Sequence, residues 1–200
     1  MSRAQVQATV ALVMLLPALA ATPRRDPALD LQPESRLWVA GTSTVRGFQC
    51  QAGAFDAKIE STGADAVAAV LAGEKAVSTI EVTVPAEKLD CRNGTMNEHM
   101  RKALKAKEFP TIVFRAASYD LARTSDSVAI TLNGSLTLGG VEKPITVTAQ
   151  AKPGPDGTLV VFGTREVRMT EFGLKPPSLM LGTMKVDEKL TVGFEVVLKN

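Results

Sequence analysis

The chain has 200 residues, a net charge of +2 with 22% charged residues, and an aromatic share of only 4%. That length suits one domain plus a targeting segment. The even charge balance excludes a nucleic-acid or anionic-surface binder that works by charge, and the scarcity of aromatics excludes a base-stacking platform.

Arg3, the apolar run 10–16 and the small residues of Pro17-Ala18-Leu19-Ala20 have the layout of an export signal cleaved after Ala20 or Ala21. The run is too short to span about 30 Å of hydrocarbon at about 1.5 Å per residue. No later segment is long and apolar enough to cross, so the expectation is no stable membrane insertion and a mature chain that is periplasmic or secreted. Residues 1–21 are read as a signal peptide and 22–35, with Pro23, Pro27 and Pro33, as a flexible lead. The folded domain is expected over 36–200.

From Arg36 onward the pattern has period two. Ile80, Val82 and Val84 alternate with Thr79, Glu81 and Thr83. Val128, Ile130, Leu132, Leu136 and Leu138 alternate with polar or small residues, as do Ile145, Val147 and Ala149, and Leu190, Val192, Phe194, Val196 and Leu198. Such alternation turns one face to an apolar interior and the other to water. Further strands are expected near 37–42, 53–60, 111–119 and 159–169. Gly139-Gly140 and Pro153-Gly154-Pro155-Asp156-Gly157 supply turns. Many strands joined by short turns, with one polar face, imply a sandwich or a closed barrel.

One segment breaks the pattern. Met96, Met100, Ala103 and Leu104 fall at helical spacing, with Glu98, Arg101, Lys102 and Lys105 opposite. The spacing predicts one short amphipathic helix, with Thr95 as N-cap, Glu98 completing a capping box and Phe109-Pro110 ending it. Cys50 and Cys91 are the only cysteines. An oxidising compartment favours a disulfide between them, closing a loop of about forty residues worth about 4 kcal/mol in the chain-entropy account. Two thiolates and one distant histidine do not complete a tetrahedral metal set, and no C-x-x-C redox pair occurs.

Four stretches resemble the YceI-like family of polyisoprenoid-binding proteins, in the family's order. They are Asp90-Cys91 through His99-Met100-Arg101 to Phe109-Pro110 and Phe114; Gly134-Ser135-Leu136-Thr137-Leu138-Gly139-Gly140-Val141-Glu142-Lys143-Pro144; Arg168-Met169-Thr170-Glu171-Phe172-Gly173-Leu174; and the final strand from Val186 to Leu198. Thr42-Ser43-Thr44-Val45-Arg46-Gly47-Phe48 adds a fifth near the start. The resemblance implies an all-β fold, a lipocalin-like eight-stranded antiparallel β-barrel with one short helix. It also implies a non-enzymatic role in holding a polyprenyl chain or isoprenoid-quinone type lipid in the lumen. The stretch after His99 is shorter than in many members, and the two cysteines are not general family features.

An apolar guest asks only shape and apolarity of its lining. Phe48, Phe55, Val82, Met96, Met100, Leu104, Phe114, Leu136, Phe172 and Phe194 are the candidates; as bare residue types, each also suits plain core. Arg46, Arg101, Arg115 and Arg168 are candidate partners for a diphosphate or carbonyl head group, because guanidinium pairs bidentately with such oxygens. Arg101 leads, since it sits on the helix and matches the family's H-x-R. His99 is the sole histidine. With Met96 and Met100 it could form a soft metal site, but the reading preferred here is a structural histidine that anchors the helix. No G-x-S-x-G and no triad order is visible, so no catalytic group is assigned. No cofactor and no metal is expected. The alternative function is a structural or stress-response interaction module whose barrel is filled by its own side chains. A homodimer is compatible with either.

Overall fold

The computed structural model describes residues 27–179 and 183–200. The export signal expected over 1–21 lies outside them. In chain order the elements are β1 (Asp30–Leu31), β2 (Arg36–Ser43), β3 (Gly47–Ala52), β4 (Asp56–Ser61), helix α1 (Ala66–Ala72), β5 (Val77–Pro85), β6 (Leu89–Asp90), helix α2 (Gly94–Ala103), β7 (Thr111–Arg123), β8 (Val128–Leu138), β9 (Val141–Pro153), β10 (Leu159–Arg168), β11 (Ser178–Leu179) and β12 (Met184–Lys199). The strands form an antiparallel sheet in the order β4-β5-β7-β8-β9-β10-β12-β2-β3-β6, with β1 and β11 added beside β12. The expected all-β, lipocalin-like class is what the chain adopts.

Several details differ from the expectation. Among the described residues nine strands (β2 to β5, β7 to β10 and β12) have six or more residues, against eight expected. The strand foreseen near 53–60 begins only at Asp56, and β3 precedes it as a separate strand. A second helix, α1, was not foreseen. It buries Ala66, Val67 and Val70 and ends at Gly73, whose φ of 84° is left-handed.

The stretch expected as a flexible lead is built into the sheet from residue 27. The Leu29 amide donates to the Ile59 carbonyl at 2.9 Å, and the Ser61 amide to the Pro27 carbonyl at 2.7 Å. Asp30 and Leu31 then pair with Lys199 and Leu198 of β12. This short segment spans the interval between β4, one edge of the main ladder, and the last residues of β12, which extend past their β2 partners. Proline is tolerated there because the chain pairs through carbonyls and the amides that follow.

Apolar burial is divided between the two ends of the barrel. At the α1 end Leu29, Val67, Val70, Val128, Leu159 and Leu198 form one core. At the other end Leu89, Leu104, Leu138, Met169, Phe172 and Leu174 form a second. Gly139 and Gly140, with φ of 56° and 80°, make the two-residue β8–β9 turn, a geometry in which both central residues are left-handed. A side chain on Gly140 would run into the Phe109 ring, and one on Gly139 into Leu174. Three of the stretches quoted above thus meet at one point, with Phe109 and Leu174 folded over the Gly139-Gly140 turn.

Gly140→Ala is expected to lower stability by about 1–3 kcal/mol, because the methyl group meets both an unfavourable φ and the Phe109 ring. Urea unfolding of the two proteins side by side measures it, and an unchanged midpoint would contradict the steric argument.

Candidate ligand cavity

The inward residues of the strands do not meet across the barrel. Between the two cores lies a cavity of about 590 Å³. Its floor is Leu29, Ile59, Val70, Leu159 and Leu198, at the α1 end. Of its exposed wall residues, Val45, Arg46, Asn93 and Thr95 gather at the β2–β3 turn and the start of α2, which defines the mouth, and Arg165 lies apart from them on β10. The volume is in the range of small-molecule sites, which run to about 300–1,000 Å³.

Two glycines shape the bore. On the inner face, a Cβ on Gly41 would strike the Phe48 ring and Leu190, and a Cβ on Gly163 would strike the Phe194 ring and the Thr148 carbonyl. Both rings lie back against the wall over a residue without a side chain.

Of the residues proposed from the sequence as lining, Phe48, Val82, Met96, Met100, Leu104, Phe114, Leu136 and Phe194 border the cavity. Phe55 and Phe172 do not. Phe172 is 2% exposed within the second core, in a short 3-10 turn over Met169–Phe172 where the period-two rule no longer applies. Phe55 packs against the same core from just before β4. Arg101 also lies outside the cavity wall. It is exposed, and its guanidinium reaches the Glu87 carbonyl at 3.4 Å. Arg115 pairs with Glu81 at 2.7 Å and Arg168 with Glu188 at 3.1 Å. Arg46 alone of the four arginines borders the cavity.

Sequence reasoning missed Arg165. On β10, Val161, Arg165 and Val167 follow one another along the inner face, and Arg165 stands opposite the cavity residue Val192 of β12. The signal was an arginine in phase with an apolar row.

The mouth is held by committed polar groups. The Ser43 hydroxyl donates to the Arg46 carbonyl at 2.8 Å and accepts from the Arg46 amide at 3.1 Å, which shapes the β2–β3 turn. The Thr44 hydroxyl donates to the Thr183 carbonyl and accepts from the Lys185 amide, tying that turn to the start of β12. The N-cap of α2 is Asn93, two residues earlier than expected. It is extended, and its side-chain oxygen accepts from the Met96 amide at 3.0 Å. The helix ends before Leu104, well short of Phe109-Pro110, because Lys105 turns left-handed. Tyr119 shows its ring to the cavity while its hydroxyl is used by the backbone of Val77.

Asn97, not His99, anchors α2. Its side-chain oxygen accepts from the Cys91 amide at 2.7 Å and its amide donates to Asp90 at 2.7 Å. His99 borders the cavity half-buried, with no side-chain hydrogen bond among the described residues. Cys50 and Cys91 are joined as a disulfide. The Cys91 sulfur lies 3.7 Å from that of Met100. This bond reinforces the β3–β6 pairing, which has only the Gln51–Asp90 and Ala52–Leu89 partners. The donation from Asn97, then that from the Arg92 amide, holds the Asp90 carboxyl below the usual carboxylate range.

The YceI-like domain model matches residues 32–198. A UPF0312 protein of Shewanella baltica (strain OS185) is 31% identical over 111 residues, 52% of this chain and 56% of the relative. A UPF0312 protein of Enterobacter sp. (strain 638) is 34% identical over 77 residues, 38% of each chain. The chain thus aligns with about half, or less, of the length of these curated relatives. Among solved structures, BcnA of Burkholderia cenocepacia aligns with a TM-score of 0.66 at 16% identity, covering 84% of this chain and 99% of that one. A polyisoprenoid binding domain from Saccharophagus degradans, implicated in plant cell wall breakdown, aligns at 0.63 and 11% identity, covering 86% and 97%. At such identities the structural likeness speaks to the fold.

Cys50→Ala/Cys91→Ala is expected to lower stability by up to about 4 kcal/mol, the closure entropy of the loop. Comparing denaturant midpoints of the variant and the oxidised parent checks this, and equal midpoints would count against it. The Asp90 contact has a pH signature. Its folded pKa lies below the unfolded value of about 3.9, so its stabilisation is complete above that value and is lost as pH falls through the folded pKa. In an NMR titration the Asn97 side-chain amide is expected to shift only below about pH 4 and to lose that transition in Asp90→Asn.

Proposed function

The chain belongs to the YceI-like family, and from that premise we propose that it binds a long apolar isoprenoid-type lipid in its lumen as a carrier or store, without catalysis. The observation that carries this reading is the cavity of about 590 Å³ between two packed cores, walled mostly by Leu, Ile, Val, Met and Phe. A water takes about 30 Å³ of liquid, so the space corresponds to about twenty water-sized groups. That is the scale of a chain of several isoprene units. Each methylene moved from water into such a wall contributes about 0.8 kcal/mol, which offsets the ordering of a flexible guest. The polyisoprenoid-binding description of the Saccharophagus degradans neighbour supports the same class of ligand.

The disulfide supports a setting outside the cytoplasm. A bond of this kind persists in an oxidising compartment, which fits a protein exported after removal of residues 1–21. No helix among the described residues is long and apolar enough to cross a membrane.

Native mass spectrometry of protein released from the cell envelope without detergent is expected to show a chain shortened at its N-terminus together with one lipid mass. Val192→Trp places a large ring in the lumen opposite Arg165. It is expected to cut bound lipid more than about tenfold while costing no more than about 1–3 kcal/mol. A chain that is bare in every preparation and takes up no added polyprenol would end the carrier reading.

A further inference from the structure

The cavity wall is one-sided in charge. Among the described residues it contains two arginines, Arg46 and Arg165, together with His99, and no aspartate, glutamate or lysine. The two arginines differ in position. Arg46 lies in the β2–β3 turn at the mouth. Arg165 stands opposite Val192, midway along β12, and is exposed where β10 has run past Gly163, its last partner on the β9 side. Val192 in turn faces Val39, and Val39 faces Cys50, so the row that Arg165 joins is otherwise apolar.

Arg165 also differs from three arginines of the outer strand faces. Arg36 pairs with Glu195, Arg115 with Glu81 and Arg168 with Glu188, each within 3.1 Å. Next to Arg165, Glu166 is 3.8 Å from Lys189. Arg165 has no ion pair and no side-chain hydrogen bond among the described residues. A guanidinium cannot shed its charge by titration, and its five donors need acceptors wherever water is displaced. An apolar guest that lay against this side chain and offered no acceptor would displace part of its water without replacing it, at a cost.

We propose that Arg165 receives the acidic head group, a carboxylate or a phosphate, of an amphiphile whose apolar chain runs toward the α1 floor. The inference rests on the lipid-binding reading and narrows it, because a neutral chain of equal length would leave Arg165 unpaired. The guest then lies with its charged end at the exposed stretch of β10 and its chain inside the bore. Arg46 faces it at the mouth without being its partner.

The test uses the full mature chain, stripped of lipid, and three probes: geranylgeraniol, geranylgeranyl phosphate and a fatty acid of similar length. The parent protein is expected to bind one or both acids at least about tenfold more tightly than the alcohol, since charge-assisted bidentate pairing is added to the same chain burial. The acid that gains tells carboxylate from phosphate. Arg165→Met should abolish that advantage and leave alcohol binding intact, which also reports that the barrel is folded; Arg165→Lys should restore part of it. Equal binding of alcohol and acids by the parent would overturn the assignment to Arg165 while sparing the lipid-binding reading. An acid preference that survives in Arg165→Met and disappears in Arg46→Gln would overturn it too. If none of the three probes binds, both readings fall together.

Discussion

Burial of apolar side chains at the two ends of the barrel carries the structure, because it is the packing there that relieves the middle of the need to pack. Leu29, Val128, Leu159 and Leu198 close one end with α1, and Leu104, Leu138, Phe172 and Leu174 close the other. Protein interiors ordinarily reach the density of organic crystals, and a wall without atoms opposite forfeits dispersion contacts. Ile80, Val82, Phe114, Leu136 and Phe194 are in that position, half-buried around the hollow. The attraction they fail to satisfy among themselves is what an apolar guest can satisfy.

A hollow of this kind also depends on keeping the wall continuous. The main ladder ends at β4 on one side and at β6 on the other. Both edges are managed locally. Residues 27–31 link β4 to the end of β12, and the disulfide fixes the two-residue β6 beside β3. Short or covered edges leave little unpaired backbone for another chain to join. The same disulfide sits at the root of α2, through Cys91 and its neighbours Asp90 and Asn97, so the element that frames the mouth is tied to the element that finishes the sheet.

Much of this was legible in the chain. The alternating rows of β5, β8, β9 and β12 named their inward residues, since period two is a local property of a strand. The cysteine pair followed from the expected export and the count. What failed was whatever needed partners far away in sequence. Phe55 and Phe172 carry the residue type of a lining but lie just outside regular strands, where alternation assigns no face. Arg165 sits in the polar run Thr164-Arg165-Glu166, which looks like solvent-facing sheet until its register with Val192 is known. Helix α1 spans only two turns of alanine-rich sequence, too few for its spacing to stand out. The N-cap moved from Thr95 to Asn93 because either residue can cap, and only the path of the chain out of β6 selects between them.

The recessed rings of Phe48 and Phe194 bear on how such a fold could change its guest. Each phenyl lies flat only because Gly41 and Gly163 present hydrogen where every other amino acid presents carbon. A single methyl at Gly41 meets only the Phe48 and Leu190 side chains and would tip the ring toward the axis with the strand pairing left as it is, whereas at Gly163 it would also meet the Thr148 carbonyl of β9. Girth is therefore separable from topology at Gly41, where one codon would regauge the passage while the ladders, caps and cross-link stayed the same.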